Sequence, residues 1–450
     1  MTILENITTT LSTKKYRIGF IILALILLLL ISYSILGKTF PDIWIFKIQY
    51  DVSNILDYVQ LLIVISSLIF LFFVTDKSEI NRYIENHEFY SEKYSKLKNK
   101  IIRFDELYSC SVENYTNIGL SKSELKKIKL NNIIFHLTND FYTLPSLIEE
   151  QFRDIIIKKF NIQEKNDYNA LTLSLRNIQY EVEKGSIKFT FHKAYYFQAL
   201  VTNLIPEYEI IKNLTVRDFI ESPNMRTINS LEDSLAVNHL GISCLLSFKY
   251  KSRDYYLIPK RGNNTAVFKG QLSPSISGAA NIFTCRDIVD NTLSIRKFFD
   301  NEFEEEISTF LDERIGEDLC YSLKNDILNN LFLVGITREL KRLGKPELFF
   351  FYDTKFILDN YIETTSKING VIEMKITNKK DATIDYSENE KFFLIDRSII
   401  KTLIKEKSIS SSTKSSYKQQ EKYYIIKILE EEFKISESLF VNLALTENFS

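Results

Sequence analysis

At 450 residues, with 45% hydrophobic and 13% aromatic side chains, the chain is long enough for several domains with real cores, which excludes a compositionally disordered protein. Lys and Arg total 57 against 58 Asp and Glu, a net charge of -1 that gives no case for a binder of nucleic-acid polymers. The four cysteines form no C-x-x-C pair, which excludes a standard zinc ribbon and a disulfide framework.

Taken in chain order, the first strong signal is apolar. IGFIILALILLLLISYSIL, residues 18–36, runs for 19 residues without a charge, and LDYVQLLIVISSLIFLFFVT, residues 56–75, is apolar from Val59 onward. Runs of roughly 17–25 apolar residues match the hydrocarbon thickness of a bilayer, so two transmembrane helices are expected. Lys14, Lys15 and Arg17 precede the first run, while Lys77, Arg82, Lys93, Lys96, Lys98 and Lys100 follow the second. Basic residues at both outer flanks predict a two-pass hairpin in the inner cell membrane with both termini cytoplasmic. The expected segments are a cytoplasmic tail 1–17, spans 18–36 and 56–75, and an external loop 37–55 holding Pro41 and Trp44. A cleaved signal peptide ahead of one span competes, but its apolar stretch would be long for that role. Neither run has an ionisable residue at its centre, which favours an anchor, or a pore built from several copies, over an ion relay.

Residues 76–230 read as a cytoplasmic coupling region, mostly helical. Apolar spacing predicts helices over 91–104 and 146–160, a strand becoming a helix over 187–205, and a short helix from 214. No catalytic constellation stands out there. A further domain is expected over 231–450, and it is strand-rich. HLGISCLLSFKY (239–250) and DYYLIPKR (254–261) read as a hairpin, followed by GQLSPSISGAAN (270–281) as a loop. A long helix is predicted over 292–314, with Leu293, Phe298, Phe299, Phe303, Ile307, Phe310 and Leu311 on its apolar side. Strands follow at 331–338 and 347–354, separated by the turn RLGKP. The Ser-rich stretch 408–418 reads as an exposed loop, and the last segment as packing back on the domain. The scattered cysteines read as small buried apolar residues. The four dispersed histidines, His87, His136, His192 and His239, receive no role.

The helix over 292–314 carries Glu302, Glu305 and Glu306 at i, i+3 and i+4, a spacing that puts three carboxylates on one helical face. Like charges so placed cost roughly 0.2–0.5 kcal/mol per pair. No Lys or Arg stands three or four positions away to relieve them; those positions include Phe298, Phe299, Asn301, Ser308, Thr309 and Phe310. A bound divalent cation would neutralise such a face, since Mg2+ takes carboxylate and phosphate oxygens.

The order of hairpin, small-residue loop, glutamate-bearing helix and two strands resembles the Nudix hydrolase family over roughly residues 238–400. The family signature ends in R-E-U-x-E-E-x-G-U, where U is a bulky aliphatic. Asn301-Glu302-Phe303-Glu304-Glu305-Glu306-Ile307-Ser308-Thr309 lies over it. The glutamates and the large apolar residue match. Asn301 stands for the arginine, Ser308 for the glycine and Thr309 for the aliphatic, and the opening of the signature needs an insertion after Gly278. The resemblance implies an α+β fold, in which the transmembrane hairpin precedes a cytoplasmic mixed-sheet α/β/α sandwich. It also implies Mg2+ held by Glu302, Glu305 and Glu306, with catalysis, where present, depending on Glu305. Lys260 and Arg261, closing the strand before the small-residue loop, are expected to reach phosphate oxygens. Glu304 falls on another face and is expected to be solvated.

A two-helix anchor joined to such a module is similar to the two-transmembrane Nudix effectors of CBASS, the bacterial cyclic-oligonucleotide antiphage systems. That likeness implies a homo-oligomer in which the Nudix-like domain senses a cyclic nucleotide, or another nucleotide ligand, and the hairpins disrupt the inner membrane, causing abortive infection. Two other readings stand beside it. One is a membrane-anchored, Mg2+-dependent hydrolase of a nucleoside diphosphate derivative. The other is a structural membrane protein with a degenerate domain.

Overall fold

The computed structural model describes residues 101–104, 107–111, 122–125, 127–160, 169–181, 183–212, 214–221, 229–262, 270–287, 292–339, 342–361, 366–368, 371–375, 389–405, 410–416, 419–428 and 431–449. The chain divides into two compact units, Met1–Ile84 and Glu85–Ser450, and every described residue lies in the second.

The first half of this unit holds β1 (Ile101–Phe104), β2 (Leu107–Ser111), α1 (Lys122–Leu125), β3 (Ile133–Phe141), α2 (Ser146–Phe160), β4 (Leu171–Glu181), β5 (Ser186–Tyr195), α3 (Tyr196–Ala199), β6 (Glu209–Ile211), β7 (Leu214–Thr215) and α4 (Val216–Glu221). Then come β8 (Gly241–Tyr250), β9 (Arg253–Arg261), β10 (Ile276–Ala279), α5 (Ile282–Cys285), α6 (Ile295–Phe303), α7 (Thr309–Ile315) and α8 (Glu317–Asn330). The rest is β11 (Phe332–Glu339), β12 (Lys345–Ile357), β13 (Ser366–Ile368), β14 (Val371–Lys375), β15 (Asn389–Asp396), α9 (Arg397–Lys405), β16 (Ser410–Ser416), β17 (Gln419–Ile428), β18 (Glu431–Ile435) and α10 (Glu437–Phe449).

The main sheet runs β1-β2-β11-β12-β8-β9-β15-β14-β13, with β10 also on β8. The β12–β8 pair is parallel and the other pairs in this sheet are antiparallel. Alternating side chains on its strands go to opposite faces, as the two-residue strand period requires. Cys244, Leu246, Phe248, Leu348, Phe350, Phe392 and Leu394 join one apolar cluster with Phe298, Phe299, Phe303 and Ile327 of α6 and α8. Leu245, Phe349, Phe351, Phe393 and Ile395 join a second with Ile400 of α9 and Leu439, Phe440 and Leu443 of α10. Helices therefore cover both faces, which explains why these strands read as nearly continuous apolar runs.

The β8–β9 hairpin closes through Lys251 and Ser252, both at positive φ (47° and 63°), the twist that a two-residue hairpin turn requires. It stays zipped only from Ser247 to Tyr250, and beyond that the strands part and β10 takes the edge of β8 from Gly241 to Cys244. The wholly buried Ser275 pins the fork: its hydroxyl accepts from the Leu246 N–H at 2.9 Å and donates to the Leu257 carbonyl at 2.5 Å. The open end of this fork is where the candidate site lies.

Several expectations are corrected. The fold class is mixed sheets and helices, α+β, but no helix among the described residues is long and apolar enough to cross a membrane. The longest continuous helical run among the described residues, 295–315, carries Arg, Lys, Asp and Glu along its length. The expected spans 18–36 and 56–75, with the tail and external loop around them, lie outside the described residues. Residues 101–104 form β1 rather than the end of a helix, because they pair with β2 at the edge of the main sheet. The small-residue loop contains β10, and the Ser-rich stretch contains β16, which pairs with β17. Local composition missed both, since a strand's partner supplies its hydrogen bonds whatever its own propensity. No separate core begins at 231: Phe189 and Phe191 of β5 share the apolar cluster of β8 and α6. The Thr172 hydroxyl of β4 also donates to the Ala280 carbonyl at 3.0 Å.

Candidate functional site

The glutamate helix is not uniformly α. Between α6 and α7, Glu304–Ser308 form a π-helical turn, one extra residue in the ladder. The Ser308 hydroxyl donates to the Glu304 carbonyl at 2.8 Å and the Asn389 amide donates to the Glu306 carbonyl at 3.4 Å. A second π-helical turn, Leu200–Leu204, follows α3. These two turns are the π-helical segments among the described residues, and they line the same cavity of about 550 Å³. Such turns are rare and concentrate at functional sites. The volume is in the range of pockets that take small molecules.

Glu302, Glu305 and Glu306 all line this cavity, and Arg261 lines it from the open end of β9. The Ser277 N–H of β10 donates to the Glu306 carboxylate at 2.7 Å, and the Arg261 guanidinium donates to the Ser277 hydroxyl at 3.3 Å. Gly278 is where β10 meets Glu302: a Cβ built there would lie 2.6 Å from the carboxyl carbon. Relief for Glu306 thus comes from a neighbouring strand, at a sequence distance that helix spacing cannot show. Lys260 is not in the cavity wall, because strand alternation turns it away from Arg261. Glu304 also points elsewhere, bound at 2.6 Å by Lys324, which holds Asp300 at 2.9 Å. Rather than being simply solvated, it ties the helix to α8.

Asn301, at the signature's arginine position, donates its amide to the Thr284 carbonyl at 2.9 Å. Thr284 belongs to α5, the short helix inserted between Gly278 and the long one and capped by Asn281. Asn301 therefore fixes the insertion to the helix instead of presenting a charge to the glutamates. Among the described residues no group of three or more His, Cys, Asp and Glu side chains is placed to hold a metal ion. The triad lines one wall without being gathered into a ready chelate.

The rest of the lining was not legible in the sequence. There the Lys345 ammonium lies 3.4 Å from Glu347, which also accepts from the Ser243 hydroxyl at 3.0 Å, and Arg342 lies 3.3 Å from Glu339. Gly241 leaves the space that Lys345 occupies. Burial works to lower the Arg342 pKa, but Glu339, Glu347, Glu437 and Tyr196 together hold it raised, so the guanidinium stays charged. Counting charged side chains of the wall, Glu302, Glu305, Glu306, Glu339, Glu347 and Glu437 face Arg261, Arg342 and Lys345. The cavity is net acidic by three charges.

His239, just ahead of β8, lines the cavity beside Tyr196, whose ring meets it edge-on at 6.1 Å. It is 6% exposed, and its Nε2 has no hydrogen-bond partner in the protein. Burial, reinforced by Lys345, pushes its pKa down to about 3, against a backbone hydrogen bond with Ala280, so the imidazole is neutral at pH 7. Leaving such a nitrogen unpaired costs roughly 1–3 kcal/mol. Asn203, in the π-turn, accepts from the His239 N–H at 3.3 Å and donates to the Arg342 carbonyl at 3.0 Å. Cys244, Cys285 and Cys320 are buried free thiols outside this polar surface.

No protein-family model matches the chain, and no curated protein matches it either.

Proposed function

We propose that the body spanning 85–450 is the nucleotide-sensing module of a CBASS-type antiphage effector, with the Nudix-like cavity as its ligand site. A single observation carries this reading: Glu302, Glu305 and Glu306, from one helix, and Arg261, from the strand ahead of β10, line one cavity of suitable size. Arg261 is suited to phosphate oxygens. A net acidic wall admits an anionic nucleotide only together with cations. Mg2+ commonly binds through one or two carboxylates plus ligand phosphates, so the glutamates need not form a complete chelate beforehand. One or two of Glu302, Glu305 and Glu306 would hold it, and it would supply the positive charge that the ligand phosphates need beside an acidic wall.

Binding without cleavage is favoured because Asn301 gives its amide to Thr284 and the three carboxylates are not gathered around one point. The sensor acts at the inner membrane, with the uncharged run 18–36 and the run 56–75, apolar from Val59, providing attachment and its self-assembly providing the toxic output. Ligand binding drives such an output only by favouring the assembled state over the resting one.

The test incubates the full chain and Mg2+ with cyclic di- and trinucleotides and with nucleoside diphosphate derivatives, following retained and cleaved species by mass spectrometry. The expected result is one intact cyclic nucleotide retained, lost on adding EDTA or on Glu305→Gln. Retention of none overturns the reading. Cleavage of a diphosphate derivative, abolished by Glu305→Gln, transfers the site to a hydrolase.

A further inference from the structure

The nucleotide reading assigns work to the glutamates and Arg261 and leaves other parts of the lining unexplained. Among these His239 combines three properties seldom found together: it is buried, it lines the cavity, and its Nε2 has no partner. Buried polar atoms without partners are few in native proteins and call for an explanation. The Ala280 backbone hydrogen bond favours a proton on Nδ1, which leaves a lone pair on Nε2. The residue is also held in place: Asn203 fixes its backbone N–H, and Tyr196 packs edge-on against the ring.

Its position along the wall is set by the strand. Gly278, which abuts Glu302, pairs with Ile242, and the ladder continues to Leu240, whose carbonyl accepts from the Ala280 N–H. Three residues of extended chain therefore separate the His239 backbone from Ile242, the partner of Gly278, about 10 Å along the strand at the usual rise per residue.

We infer that His239 is the recognition residue of this cavity, its Nε2 accepting a hydrogen bond from an N–H or O–H of the bound nucleotide while the glutamate wall takes the phosphates. The donor is a nucleobase amino group or a ribose hydroxyl; both offer the same chemistry to a lone pair. This inference rests on the nucleotide reading above.

The experiment measures Mg2+-dependent binding of cyclic di-AMP, cyclic tri-AMP, cyclic di-GMP and cyclic AMP–GMP to the full chain, then to His239→Phe and His239→Gln. For whichever of these binds, counterparts lacking the exocyclic amino group and 2′-deoxy counterparts are titrated against the unmodified chain, which needs no variant to fold. The expected result is an affinity loss of about 10-fold for His239→Phe, partial recovery in His239→Gln, and a similar loss for one of the two analogue classes. Loss with the amino-free analogue places the donor on the base, and loss with the deoxy analogue places it on the ribose. Binding that His239→Phe and both analogue classes leave unchanged overturns the role of His239 alone. If the unmodified chain binds none of the four, the nucleotide reading fails for these ligands and this inference fails with it.

Discussion

Replacing Gly278 by alanine separates what the fold needs from what the site needs. Its backbone is not in the left-handed region, so alanine is sterically allowed and gains about 0.4–1 kcal/mol by restricting the unfolded chain. The new Cβ would sit 2.6 Å from the Glu302 carboxyl carbon, well inside van der Waals contact. The side chain must retreat by about 1 Å to reach ordinary carbon separation. That displaced group is the far end of a flexible side chain, not backbone, so its loss of fit costs about 1 kcal/mol. The two effects nearly cancel, and the melting temperature of the full chain should move by no more than about 2–4 °C. Ligand geometry is less forgiving, because sites of this kind work within about 0.5 Å. Mg2+-dependent nucleotide retention should therefore fall about 10-fold, as expected when one charge-assisted contact is lost. Circular-dichroism melting and nucleotide titration on the same preparations check both halves. An unchanged affinity would show that Glu302 takes no part in binding. A fall in melting temperature much beyond this range would show that the carboxylate is locked into the fold.

Two further outcomes follow from buried polar groups. His239 has a folded pKa of about 3 against an ordinary value of 6.5, so below pH 6.5 the unfolded chain binds a proton that the native chain refuses. Its contribution is fully present above 6.5 and is lost as pH falls toward 3, amounting to about 2 kcal/mol by pH 5. Urea midpoints for the unmodified chain should drop over this range by more than those of His239→Gln, and parallel curves would refute the assignment. Ser275→Ala removes both hydrogen bonds that hold the β8–β9 fork and leaves a buried amide and carbonyl short of a partner, which should cost about 1–3 kcal/mol in urea unfolding. A loss below about 0.5 kcal/mol would mean that the fork is held by packing alone.

Much of the strand and helix order around the site was readable because its signals are local. Continuous apolar runs in β8, β9 and β12, and the three-and-four spacing from Phe298 to Leu311, announce elements buried between layers. Where the reading failed, the deciding partner was distant. Ser410–Ser416 looks like a loop until Gln419–Ile428 pairs with it, and Ile276–Ala279 becomes a strand only because β8 and β9 part to admit it. Likewise, the residues ahead of 231 appear separate in the sequence because nothing in their spacing shows that Phe189 and Phe191 reach the core beneath β8.

The site divides along the same line. Glu302, Glu305, Glu306 and Arg261 could be proposed from residue type and spacing, and the cavity brings them together. Lys260 could not be told from Arg261, since only the phase of the strand decides which faces inward. The π-turn at Glu304–Ser308 has no signature in the sequence, and within it the Ser308 hydroxyl bonds the Glu304 carbonyl, a bond that a glycine at that position could not make. His239 illustrates the opposite difficulty: an isolated histidine is rightly given no role until burial, a missing partner and a shared cavity coincide. The cavity wall is assembled from separate stretches near 200, 240, 261, 278, 305, 345 and 437, and only folding makes them one surface.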